Sequence, residues 1–224
     1  GFAMDSFTRQ IGIFGRFVSG LYSALSIVEE FESRSQILTI IKDLVERGDS
    51  DTIRDNVDVL TSPLLVIWRS CANQNLLRSS VLGILALVVE AMGPSDPSSY
   101  DIVYPLISYS IDIHHPEFVY LADDGISLWK TVMCQTPVYT ESLHKLFQAM
   151  PALLKNDPMR IKVLSSISEA YILVGGSTFL VTFGSVLTDM LQYIFTQLQT
   201  KAHASALRII ELAISHSPRE GCSI

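Results

Sequence analysis

Two histidines stand in succession, His114-His115, directly before Pro116 and flanked by Asp112 and Glu117. Imidazoles and carboxylates crowded over residues 112–117 are a donor set that a divalent metal accepts, and imidazole titrates near neutrality, so a metal site or a pH-sensitive contact is the chemistry on offer. The following proline points instead to a solvated loop ahead of a helix, and that is the reading adopted. Cys134 and His144 have the residue types of a thiol nucleophile and its base. No third group stands ready to orient the histidine, so Cys134 reads as a core or loop cysteine. Asp123-Asp124 offers paired carboxylates for acid–base work. Neighbours on a helix point about 100° apart, which suits a solvated or partner-binding face better than a shared substrate. HExxH, P-loop, GxGxxG and GxSxG patterns are absent from the sequence. No catalytic, cofactor-binding or metal-ligating residue is therefore assigned, and an enzyme is not expected; a deep pocket with converging polar groups would reverse that.

Charge is the feature that does point to a function. Of 224 residues, 23 are Asp or Glu and 16 are Lys or Arg, for a net charge of −7. Between Arg78 and Lys130 there is no basic residue, while seven acids fall there: Glu90, Asp96, Asp101, Asp112, Glu117, Asp123 and Asp124. The remaining sixteen acids balance the sixteen bases, so the whole net charge belongs to this central block. An acidic surface attracts basic partners and repels phosphate, so nucleic acid is not an expected ligand. Glu90, Glu117, Asp123 and Asp124 are the candidate partner-binding residues, with an acidic surface serving solubility as the alternative.

These residues must be held by helices. Hydrophobic residues make up 48% of the chain, enough for an ordered core. Hairpin dipeptides between alternating runs are missing, whereas helical periodicity comes in pairs: 8–30 with 33–47, 51–72 with 74–92, 98–112 with 116–133, 140–155 with 158–174, and 178–199 with 202–216. Asp49, Ser50 and Asp51 offer N-caps, and Gly93-Pro94 stops a helix because glycine takes the positive-φ cap and proline cannot continue. Pro116 and Pro158 suit a first helical position. Val174-Gly175-Gly176-Ser177-Thr178 reads as a C-cap running straight into an N-cap. Gly12, Gly15 and Gly20 predict a bent or poorly formed first helix. In 116–133, Phe118, Val119, Leu121, Ala122, Gly125, Ile126, Leu128, Trp129, Val132 and Met133 share one half of the helix, a face wide enough to be covered on several sides. Gly125 sits in its middle, where close approach of another helix is its expected reason. Arg78, on the apolar side of its helix, is expected to bond a neighbouring repeat.

Cys71, Cys134 and Cys222 are odd in number and far apart, with no CxxC, which reads as a reducing setting. The longest apolar run, Val81–Val89, is short for a bilayer, and Asp189 and Gln192 interrupt Phe179–Phe195, so neither a transmembrane helix nor a membrane partner is expected. Gly1–Met4 reads as an expression remnant, with one repeat array over residues 5–224.

Pro63, Pro105 and Pro151 recur at intervals of 42 and 46 residues, each followed at once by aliphatics. All three are predicted inside the first helix of a pair, where each would bend it. A period of this length signals stacked helix pairs. The sequence resembles HEAT repeats: Pro63-Leu64-Leu65 leads to Leu77-Arg78-Ser79-Ser80-Val81-Leu82, with Arg78 in the ladder position. Pro105-Leu106-Ile107 leads to Pro116-Glu117-Phe118-Val119, with Tyr120 in place of the arginine. The segment Glu117–Trp129, together with Pro63–Trp68 and Leu143–Leu154, is similar to importin-11-type karyopherins of the importin-β superfamily over roughly residues 56–200.

That resemblance implies an all-α superhelix, a HEAT-repeat solenoid of about five antiparallel helix pairs, and a nuclear transport receptor that shuttles between nucleus and cytoplasm. It also implies Ran GTPase, protein cargo and Phe-Gly nucleoporins as partners. The family's main Ran-binding segment has no counterpart here, so a monomeric middle-to-C-terminal piece is expected, with Ran met mainly elsewhere. Basic cargo elements are expected at the acidic residues, and Phe-Gly peptides in grooves between first helices near Pro63 and Pro105. The alternative is a HEAT scaffold that assembles a signalling or adaptor complex.

Overall fold

A computed structural model describes residues 2–95 and 100–224, with side chains from residue 12 onward. Asp96 and the start of the helix predicted from residue 98 lie outside the described residues. The described chain is helical throughout: α1 (Phe2–Ile27), α2 (Phe31–Arg47), α3 (Ser50–Asp55), α4 (Val57–Ser70), α5 (Asn75–Met92), α6 (Tyr104–Ile111), α7 (Phe118–Gln135), α8 (Glu141–Phe147), α9 (Met150–Asn156), α10 (Ile161–Gln197), α11 (Thr200–His216) and α12 (Pro218–Gly221). A 3-10 turn, Pro158–Arg160, leads into α10. Two compact units divide the chain, one of residues 1–93 and 119–124, the other of 94–118 and 125–224.

In the first unit α1 packs on α2 and α4, and α2 packs on α5. First helix lies on first helix and second on second, the packing of stacked hairpins that cannot cover their apolar faces alone. Tyr22 of α1 donates its hydroxyl to the Leu60 carbonyl of α4 at 2.8 Å, in a buried setting. α1 is one unbroken helix, against the expected bend. Gly12 and Gly20 face open space, whereas a Cβ on Gly15 would run into the Asn56 carboxamide. That glycine serves a close contact, not a kink. Asn56 itself breaks the helix predicted over 51–72: its amide donates back to the Thr52 carbonyl at 2.8 Å, and the helix restarts as α4. Asp49 caps α3, accepting from the Thr52 amide at 2.9 Å. The same Thr52 groups hold its carboxyl below the ordinary value.

The prolines divide by position. Pro63 lies inside α4, as predicted. Pro105 and Pro151 instead occupy the first turns of α6 and α9. There the missing N–H is not needed, so they start helices and do not bend them. For Pro151 the outcome is a break between α8 and α9 at Gln148-Ala149. Pro116 precedes α7 by two residues, while Pro158 opens the 3-10 turn.

In the second unit α6 packs on α8, α9 on α10, and α10 on α11. α10 is two helices joined through Gly176, whose φ of 50° and ψ of −138° are non-helical. Gly93 caps α5 at φ 65°, ψ −162°, a region that in practice only glycine visits. α5 and the stretch Pro158–Gln197 are long and apolar enough to cross a bilayer by length and composition alone. The bend at Gly176 divides the second, and α5 turns Leu77, Val81, Leu82, Ile84, Leu85, Val88 and Val89 into the core together with Arg78. For α5, burial of these residues accounts for such a composition.

Candidate binding surfaces

The face predicted for α7 is buried from Phe118 to Met133 with one exception, Val119, which is 73% exposed. Val119 lies at the margin of that face, about 100° round the helix from Phe118 and on the side of exposed Asp123 and Lys130. Gly125 sits where α6 crosses: a Cβ there would lie 2.5 Å from the Ser110 Cβ and 3.4 Å from Ile111. Further along α7, Trp129 donates its indole N–H to the Tyr171 hydroxyl at 3.0 Å, and Tyr171 donates to the Leu143 carbonyl at 2.8 Å. One buried chain thus ties α7, α8 and α10 together. Phe147 and Phe179 pack on Tyr171, and Phe183 packs on both phenylalanines, with ring centroids about 5 Å apart. Burial drives the Tyr171 and Tyr22 phenols well above their ordinary value and pushes Tyr139 up to about 12.

The residues singled out for chemistry are used structurally. His115 accepts from the Glu117 amide at 3.2 Å through Nδ1 and packs on Tyr109, with ring centroids 4.0 Å apart. Asp112 accepts from the His114 amide at 2.9 Å, and Tyr109 donates to Glu117 Oε2 at 3.1 Å. The stretch is a self-bonded loop at the start of α7. Among the described residues no group of three His, Cys, Asp or Glu side chains is placed to hold a metal. Cys134 is exposed, while His144 shares a hydrogen bond of 3.2 Å with the Tyr139 hydroxyl and packs on Phe183. Arg78 is buried, donates from Nε to the Trp68 carbonyl at 3.3 Å and stacks over the Trp68 ring at 4.9 Å. Those contacts are to the first helix of its own pair.

The four candidate acids are not alike. Glu90 and Asp123 are exposed; Asp124 is half-buried and accepts from the Ser79 hydroxyl of α5. Glu90, Asp123 and Asp124 belong to the first unit, and Glu117 to the second. Sequence reasoning missed that Glu117 and Asp124 each already hold a hydroxyl, because partners 8 and 45 residues away carry no sequence signal.

Two grooves stand out. The first, of about 540 Å³, runs between α1, α2 and α4, with Tyr22, Leu25, Val28, Pro63, Val66 and Ile67 among its walls. It is the kind of slot predicted beside Pro63. The second, of about 650 Å³, lies on α7, α10 and α11, and its charged residues are Lys130, Arg160, Lys162, Glu169 and Arg208. Nothing in the sequence marked it, since those residues span nearly eighty positions.

A family model described as importin-11-like TPR repeats matches residues 79–224, well over half of the chain. The chain belongs to the importin-11-like family. Importin-11 from Mus musculus and from Homo sapiens are each 27% identical to it over 198 residues, covering 88% of this chain and 20% of the relative. The importin beta-like protein kap113 of Schizosaccharomyces pombe is 20% identical over 199 residues. Among solved structures, that of Lph2, described as a bidirectional nuclear transport receptor in S. cerevisiae, superposes with a TM-score of 0.76 at 18% identity, over 94% of this chain and 21% of that one. The chain spans about a fifth of the length of these importins. The fold is that of a karyopherin helix-pair superhelix, as the resemblance implied.

Proposed function

We propose that this importin-11-like chain is a segment of a nuclear transport receptor that shuttles between nucleus and cytoplasm, and that its task is to present binding surface. Family membership supports the receptor, and the groove beside Pro63 is the observation that supports a specific contact. It lies between the first helices α1 and α4, with Glu29 and with Arg34 of α2 also on its walls, and the rest of its walls are largely apolar. Val66, 65% exposed, stands at its edge ready to be covered. A slot of this size takes an aromatic side chain with a short backbone on either side, the chemistry of a Phe-Gly repeat. Cargo with basic elements meets Glu90, Asp123 and Asp124 and, on the second unit, Glu117. Ran is contacted mainly by parts of the receptor outside this segment, which acts as a monomer within a single repeat array.

The test is titration of a labelled Phe-Gly repeat peptide into the chain and into Val66→Glu. Placing a carboxylate on the rim should weaken binding by about tenfold or more, since a charge must be desolvated against the ring. Equal affinity for both proteins removes the groove from the reading.

A further inference from the structure

The groove on α7, α10 and α11 has an electrostatic sign opposite to that of the chain. Lys130, Arg160, Lys162 and Arg208 face one carboxylate, Glu169, in a protein whose net charge is −7. Those residues come from the second helices of three successive pairs, and all of them lie within the second unit. Two of the cations are paired with carboxylates, which leaves the groove's surplus positive charge on Lys130 and Lys162. Arg160 is bonded to Asp157 at 3.3 Å, with its guanidinium 5.6 Å above the Phe118 ring, and Arg208 Nε donates to Glu169 at 3.0 Å. Lys162 is exposed at the rim. On the groove wall, Ser165 is 97% buried (3% exposed), and its hydroxyl has no hydrogen-bond partner. A buried hydroxyl left unbonded costs free energy that an acceptor in the groove would recover.

We propose that this groove is a docking site for a short acidic segment of a partner protein, with carboxylates against Lys130, Lys162 and Arg208 and an acceptor oxygen on the Ser165 hydroxyl. A volume of about 650 Å³ holds a few residues. That is enough for a run of Asp and Glu and too little to track a nucleic-acid backbone. The site goes beyond the proposed cargo and Phe-Gly contacts and opposes the basic-cargo surface in sign.

The experiment uses the full chain and a fluorescein-labelled peptide of eight alternating Asp and Glu residues. An eight-lysine peptide and a twelve-nucleotide oligouridine serve as the other probes. The acidic peptide should bind saturably and weaken as salt rises, while Lys162→Glu/Arg208→Glu lowers its affinity at least tenfold with helix content unchanged. Should that variant fail to fold, Lys130→Gln/Lys162→Gln must still cost about threefold. Ser165→Ala should weaken the peptide without altering its salt slope. No saturable binding, affinity retained in the folded charge variants, or oligouridine binding more tightly through the same residues overturns the proposal. Phe-Gly peptide binding, read on the same variants, should not change, so this site and the Pro63 groove fail independently.

Discussion

Tyr171→Phe removes one oxygen and orphans two buried groups. Trp129 and Tyr171 are both fully buried, and the indole N–H reaches the phenol at 3.0 Å. With phenylalanine the indole keeps a donor that neither protein nor water can satisfy, at a cost of about 1–3 kcal/mol. The Leu143 carbonyl loses the donor 2.8 Å away; it retains a second lone pair, so about 1 kcal/mol is a fair figure. Together these come to roughly 2–4 kcal/mol, which for a chain of this size lowers the melting temperature by about 5–15 °C. Urea unfolding followed by far-UV circular dichroism measures the loss. Repeating it in a Trp129→Phe background should show Tyr171→Phe costing about 1–2 kcal/mol less, because the orphaned indole is gone. The phenol supplies a second readout. Its folded-state value is raised by burial, so its contribution is fully present below the unfolded value near pH 10 and is lost as pH climbs through the folded value. Tyr171→Phe should blunt the alkaline loss of stability, and Tyr22, Tyr104 and Tyr139, also raised by burial, should carry the remainder. A cost under about 0.5 kcal/mol, or the same cost in both backgrounds, refutes the reasoning.

Gly125→Ala gains about 1 kcal/mol of helix propensity but sets a Cβ 2.5 Å from the Ser110 Cβ, so net destabilisation of about 1–3 kcal/mol is expected by denaturant titration; a stabilised variant would mean that α6 and α7 part freely. Gly176→Ala meets nothing closer than His216 at 3.8 Å, so its cost of about 1–3 kcal/mol comes from φ 50° alone, and a neutral result in thermal melts would show that the bend is not locked. Asp123→Lys/Asp124→Lys should weaken a basic peptide about tenfold and flatten its salt dependence in anisotropy titrations; an unaltered affinity and slope take these acids out of the cargo surface.

Much of the architecture was readable in the residues, because a helix repeats its faces every 3.6 positions and its ends need particular caps. Asp49, Gly93 and Gly176 sit at helix boundaries for local reasons, and their neighbours in the chain reveal them. The buried stripe of α7, with Gly125 in its middle, is likewise written in one helix's own order. The proline interval announced stacked pairs, and the phrases around Pro63, Glu117 and Leu143 pointed to the family that residues 79–224 match.

What lay beyond the sequence depended on distant parts of the chain meeting. Gly15 looked like a hinge until Asn56 was placed beside it. Pro105 and Pro151 looked like interior prolines because a pattern of apolar residues does not say at which turn a helix begins. The hydroxyl on Asp124, the bond from Trp129 to Tyr171, and the cations assembled from α7, α10 and α11 all depend on contacts at long sequence separation. Periodicity and capping are short-range properties and can be read along a chain. Charge clusters and buried hydrogen bonds are properties of a surface and a core, and they exist only once the helices have stacked.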